Sequence, residues 1–171
     1  AMGFTYLWGM ATAPNGYVYV ADYGNSNVVD GVIYRIDPNS GIRTALTLAG
    51  VSLTDPISIA FDKNGNLYVG EDGTGGGTQV VYQFRPTGAT SYQWVRTYTN
   101  GGSGFNYPYG LALDNSTPQR LYITSWNNQA VYQQVTDTTS APTPLQSFGY
   151  SPFGIAIDKN NIIYVSFSSY N

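Results

Sequence analysis

Apolar and polar residues alternate in short runs along the chain, and the runs recur in the same order. Four stretches align: MATAPNGYVYVAD at 10–22, IAFDKNGNLYVGE at 59–71, LALDNSTPQRLYITS at 111–125 and IAIDKNNIIYVS at 155–166. Each reads as a short apolar strand, a polar turn and a second strand centred on a tyrosine. Ala11, Ala60, Ala112 and Ala156 fall in register, as do Tyr19, Tyr68, Tyr122 and Tyr164. A third strand follows the first three stretches, at 32–37, 80–85 and 130–135, with Tyr34, Tyr82 and Tyr132 aligned. A fourth follows at 43–49, 92–98 and 144–149. No stretch of ten residues shows helical periodicity, so the pattern predicts an all-β protein.

The turns agree with the strands. Asn15-Gly16 and Asn64-Gly65 supply the positive φ that a tight connection requires. Asp62, Asp114 and Asp158 end the first strand of their units, where a carboxylate accepts turn amide hydrogens. Pro56, Pro108 and Pro152 stand just before the first strand, where a missing N–H costs little.

Self-similarity at a period of roughly 48 residues, four strands to the period, is the signature of units that stack radially about an axis. The predicted fold is a β-propeller built of four-stranded antiparallel blades, here an incomplete arc of roughly 3.5 blades, with repeats at about 7–49, 57–98, 109–148 and 153–171. The first strand of each blade lines the axis, and the tyrosines pack between blades. Three blades and two strands do not close a ring of the usual four to eight or so. Exposed sheet faces and strand edges then drive association. Three completions stay open: the remaining blades of a longer propeller, pairing with a second copy, or a swap of terminal strands. Two arcs of three and a half would make a seven-bladed ring. Residues 1–3, Ala-Met-Gly, read as a cloning remnant ahead of a single arc at 4–171.

Composition narrows the chemistry. Seven Lys and Arg stand against ten Asp and Glu, for a net charge of −3 with no basic cluster, which excludes nucleic acid as a partner. The chain has no Cys and no His, which removes thiol chemistry, Cys-ligated zinc and any imidazole base or ligand supplied by this chain. No run of eighteen apolar residues predicts a membrane span. Scarce lysine and sixteen tyrosines suggest a secreted or cell-surface protein. Asn115-Ser116-Thr117 fits the N-glycosylation pattern and lies in a turn, which bears only on a secreted eukaryotic form.

Pro108-Tyr109-Gly110-Leu111-Ala112-Leu113-Asp114 and Pro152-Phe153-Gly154-Ile155-Ala156-Ile157-Asp158, with a weaker copy at 56–62, resemble the NHL-repeat β-propellers. The stretch from Val20 to Asn27 is similar to that family's loop after the second strand. The resemblance spans nearly the whole chain and implies a propeller used mostly for binding and scaffolding, with a minority of enzymes. Those enzymes look metal-dependent, with His or a carboxylate and amide set in the channel. Ser58 departs from the family's glycine, Ala13 from its aspartate, and the third turn is longer.

Candidate sites each carry a structural alternative. Trp8, Ile57, Tyr109 and Phe153 build the axial mouth, either to stack on a hydrophobic or carbohydrate ligand or to plug the channel. Trp126, with Asn127 and Asn128 beside it, offers an aromatic face and amide hydrogen bonds. Trp94 sits on a rim strand, over a sheet edge or a partner. Asp22, Asp30, Glu71 and Asp72 together suit Ca2+, which takes several oxygens, or serve as ordinary turn residues. The run from Gly73 to Gly77 lacks the strand-to-helix context of a phosphate loop and reads as a flexible linker. The sequence thus points to a non-catalytic binding or protein-interaction module, more likely not an enzyme, completed by self-association or by further blades. The alternative is a fragment of a propeller lyase or hydrolase whose metal-dependent site lies largely in other blades.

Overall fold

The computed structural model describes residues 3–25, 30–73, 79–99 and 105–168. Residues 1–2, 26–29, 74–78, 100–104 and 169–171 lie outside that set, and with them most of the stretch read as a cloning remnant, part of the loop after Asp22, most of the glycine-rich run and the chain end.

Blade 1 consists of β1 (Leu7–Thr12), β2 (Val18–Asp22), β3 (Val32–Ile36) and β4 (Arg43–Ala45) in that order. A short strand β5 (Thr47–Ala49) follows. Blade 2 contains β6 (Pro56–Phe61), β7 (Leu67–Glu71), β8 (Val80–Pro86) and β9 (Ser91–Thr99). Blade 3 contains β10 (Leu111–Leu113), β11 (Arg120–Ser125), β12 (Ala130–Val135) and β13 (Thr143–Ser147). A two-stranded half-blade, β14 (Ser151–Ile157) and β15 (Ile163–Ser168), ends the described arc. Neighbours within each blade pair antiparallel, and Ala11, Ala60, Ala112 and Ala156 sit opposite Tyr19, Tyr68, Tyr122 and Tyr164. The expected partial propeller of four-stranded antiparallel blades is what forms.

One strand departs from expectation. The single fourth strand anticipated at 43–49 is two: β4 pairs with β3, while β5 crosses to blade 2 and runs parallel to β9. The cause lies at Leu46, whose N–H donates to Ile33 O and whose side chain packs with Leu48 against the core between blades 1 and 2. Burying those two leucines turns the chain off the blade 1 edge and ties the two blades together.

The turn chemistry is as the sequence implies. Gly16 and Gly65 adopt φ of 82° and 81°. Asp62 Oδ1 accepts the N–H of Asn64 and Asn66 at 2.9 and 2.8 Å. Asp158 Oδ1 does the same for Asn160 and Ile162, and Asp114 Oδ1 for Ser116 and Arg120.

Two apolar cores lie between blades. Alternation along a strand sends successive side chains to opposite faces. Tyr19 and Ala21 therefore face blade 2, where they meet Ile59, Leu67 and Val69. Ala60 and Tyr68 face blade 3, where they meet Leu111, Leu121 and Ile123. Both of these cores thus join an Ala/Tyr face to an aliphatic face. Most exposed large hydrophobic side chains among the described residues lie on the two end blades, including Tyr6, Trp8 and Met10 at one end and Phe153, Tyr164 and Phe167 at the other.

Candidate functional site

The loops that enter each first strand and the ends of each second strand share one face of the arc, because those strand ends are antiparallel partners. A side chain at the end of the second strand ties the entering loop in place. In blade 1 Asp22 accepts the N–H of Thr5 and Tyr6, with Tyr6 at 2.9 Å. In blade 2 Glu71 Oε2 accepts those of Thr54 and Asp55 at 3.0 and 3.1 Å. In blade 3 Ser125 Oγ accepts the N–H of Asn106 at 2.7 Å.

Above these anchors the aromatic side chains converge. Tyr109 stacks on Trp8 at 5.5 Å and on Phe153 at 4.8 Å, with Trp8 and Phe153 6.2 Å apart. Three first-strand entrances, on blades 1 and 3 and the half-blade, therefore meet at the axis. Trp126 joins edge-on to Tyr109 at 6.3 Å, and its indole N–H donates to Ser168 Oγ. The mouth residues named from the sequence are thus in one cluster, with the exception of Ile57, which is 1% exposed and belongs to the interior. Asn127 lies exposed at the hairpin tip, and the side-chain amide of Asn128 donates to Tyr132 OH. Trp94 is exposed on β9, its indole N–H donating to Thr97 Oγ1. Sequence reasoning missed Tyr23, 6.4 Å from Trp8, and Tyr107, stacked on Tyr109 at 6.1 Å. Their signal was position: Tyr23 follows the anchoring Asp22, and Tyr107 lies two residues before Tyr109 on the same entering loop.

Mutual stacking uses much of the ring area, yet Trp8 and Phe153 remain 47% and 39% exposed. The mouth therefore presents an apolar aromatic wall to the axis, able to hold the flat or apolar face of a ligand.

The four carboxylates named for a cation divide between blades. Asp22 and Asp30 belong to blade 1, where Asp30 accepts the backbone and side-chain N–H groups of Asn25 at 2.9 and 2.8 Å. Glu71 and Asp72 belong to blade 2, buried with Asp55. Among the described residues no group of three or more His, Cys, Asp or Glu side chains is arranged to hold a metal ion. Burial pushes the Glu71 carboxyl up to about 7, partly offset by the two backbone N–H bonds and reinforced by the neighbouring Asp55 and Asp72. Its Oε1 is buried and accepts no hydrogen bond.

The arc resembles enzymes of known structure. A gluconolactonase from Xanthomonas campestris superposes with a TM-score of 0.71 at 16% identity, over 94% of this chain and 56% of that one. Virginiamycin B lyase from Staphylococcus aureus does so at 0.67 and 16%, over 96% of this chain and 50% of the lyase. A catalytically inactive form of that lyase, with a histidine replaced by alanine and quinupristin bound, matches equally at 0.67. The chain spans about half the length of these proteins. No family model matches the sequence, and no curated protein matches it. Identities this low establish the propeller architecture.

These comparisons correct the expectation of a non-catalytic binding module and of a protein more likely not an enzyme. The similar structures named here are a lyase and a lactonase, so the catalytic alternative is the better supported. The physical reason for the error is that the arc shows only one side of a channel.

Among the described residues no helix is long and apolar enough to cross a membrane.

Proposed function

We propose that the chain forms half of a propeller enzyme that hydrolyses a lactone, with the channel completed by further blades. The observation that carries this is the superposition of nearly the whole arc on about half of a gluconolactonase. On this reading Trp8, Tyr109 and Phe153 form the wall against which the substrate ring is held. Asp22 and Ser125 fix the loops that carry Trp8 and Tyr109. The repeat motif supports placing the blades with the NHL kind, chiefly through Pro108 to Asp114 and Pro152 to Asp158.

The test is to incubate the protein with gluconolactone and, separately, with virginiamycin B, adding Mg2+, Ca2+ or Zn2+ in turn. Ring opening consumes one water and releases an acid, so a pH indicator reports it. Saturable acid release above the spontaneous rate is expected, with virginiamycin B left intact. No acceleration with any of the metals, or consumption of virginiamycin B alone, would overturn the assignment.

A further inference from the structure

The two junctions between complete blades are packed differently at the rim. Between blades 1 and 2, Phe84 and Tyr92 of blade 2 are buried in one core with Tyr19. The Tyr19 hydroxyl is satisfied there, accepting from Asn15 Nδ2 at 3.1 Å and from Tyr92 OH at 3.5 Å. Between blades 2 and 3 the tyrosine in the same place is Tyr68, and neither aromatic recurs opposite it. Two residues beyond Tyr132, where blade 2 has Phe84 two beyond Tyr82, blade 3 has a buried glutamine, Gln134. Thr138, Thr139 and Ser140 follow in the loop to β13, with no second ring. A cavity of about 320 Å³ results between β9 and that loop, lined by Arg96, Tyr98, Thr138, Thr139 and Ser140 among others. Both of its walls belong to complete blades, so its opening owes nothing to either end of the arc.

The polar groups around this cavity have hydrogens left to give. Arg96 Nη1 donates to Thr138 O at 2.6 Å, while its Nε is buried without a partner, and the guanidinium forms no ion pair among the described residues. The Tyr68 hydroxyl, fully buried, lacks a partner as well, and its ring stacks on that of Tyr98 at 6.3 Å. Tyr98 OH donates to Gln83 Oε1 and Gln83 Nε2 donates to Asp137 Oδ1, so the neighbouring carboxylate is already engaged. On the blade 3 wall Gln134 Nε2 donates to Thr138 Oγ1 and Ser140 Oγ. Thr138 gives its own hydrogen to Val135 O at 2.8 Å, and Ser140 can turn its hydrogen from Thr138 to a ligand. Unpaired buried polar atoms beside a polar cavity call for an occupant that supplies acceptors.

We propose that this cavity binds a hydroxylated monocarboxylate, its carboxylate on the Arg96 guanidinium and its hydroxyl groups against Thr139 and Ser140. One guanidinium matches one negative charge. A dianion would bring its second charge toward Asp137 with no second cation to meet it. The volume lies at the small end of the roughly 300–1,000 Å³ typical of small-molecule sites. A sugar acid is a molecule of this class, and ring opening of a sugar lactone releases one. Calling it the product rests on the proposed reaction; the site itself does not.

Calorimetric titration of the full chain with sodium gluconate tests it, beside acetate, glucose and inorganic phosphate. Parent, Arg96→Gln and Ser140→Ala are compared, with circular dichroism confirming that each variant folds. Gluconate is expected to bind one to one and more tightly than the other three. Arg96→Gln is expected to weaken it about tenfold or more, by loss of a charge-assisted contact, and Ser140→Ala about threefold to fivefold. Glucose, acetate or phosphate binding as tightly as gluconate would overturn the proposal, as would unchanged gluconate affinity in Arg96→Gln. Should that variant fail to fold, unchanged affinity in Ser140→Ala decides against it equally, since Ser140 is an exposed loop residue. Arg96-dependent gluconate binding without lactone turnover would leave this site intact and sink the proposed reaction. Turnover without such binding would do the reverse.

Discussion

Blade 2 and the half-blade carry nearly the same sequence, IAFDKNGNLYVGE and IAIDKNNIIYVS, and fold into the same pair of strands. In blade 2 the central tyrosine is sealed between sheets, whereas in the half-blade it faces outward. The hairpin is therefore specified locally, by alternation and by the aspartate that ends its first strand. Burial is specified by the neighbour. A blade motif encodes a face that requires a partner, and its energetic value appears only when that partner is present.

The largest break in this comparison comes from the tyrosines. Tyr68→Ala removes a fully buried ring between two blades and is expected to cost about 3–5 kcal/mol in urea unfolding. Tyr164→Ala removes a ring that is 56% exposed and is expected to cost less than about 0.5 kcal/mol. Equal losses at the two positions would mean that the half-blade face is already covered within one chain.

A second contrast separates Glu71 from Asp22, which anchor equivalent loops. Glu71 titrates at about 7 in the folded chain against an ordinary value near 4.5, so the folded state holds the extra proton between those values. Stability is then highest below pH 4.5 as far as this group is concerned. It falls as pH rises toward 7 and levels off above, by a few kcal/mol in order of magnitude. Glu71→Gln should flatten that stretch of the pH–stability profile. A profile that still falls in the variant would assign the proton to another group.

The smallest effect concerns a polar contact between blades. Ser58→Gly removes the hydroxyl that reaches Pro108 O and is expected to cost about 1 kcal/mol. Adding Gly70→Thr, opposite Ser58, to that variant restores the arrangement blade 3 uses, where Thr124 Oγ1 donates to Phe153 O, and should recover most of the loss. If the double variant is less stable than the single, the two hydroxyl placements are not equivalent.

Much of the fold was legible because its determinants are local. Asn-Gly turns, aspartates at strand ends and Tyr-centred strands each act within a dozen residues, and each appears where the pattern places it. The crossing of β5 was not legible, because RTALTLA alternates well enough for one strand and only the space between two blades makes Leu46 turn. Ser58 looked like a defect in the motif until Gly70 was seen opposite it. The pair moves a hydroxyl from one strand to its neighbour, which strand-by-strand comparison does not reveal. At the mouth, Trp8, Tyr109 and Phe153 were legible because entering loops recur in register, whereas Trp126, read as a separate exposed aromatic on the loop after β11, was joined to them only by the fold. Ile57 was misplaced because a first-strand position alternates between the axis and the interior with a single residue's shift. Function was the least legible, since an axial channel is a property of a closed ring and the arc carries one side of it.

The account rests on the claim that a blade's hairpin is specified by its own residues while the burial of its central tyrosine is supplied by the next blade. Amide hydrogen exchange along β15, Ile163–Ser168, compared with β7, Leu67–Glu71, tests it directly. The account predicts exchange in β15 that is orders of magnitude faster than in β7. Equal protection of the two strands would contradict it.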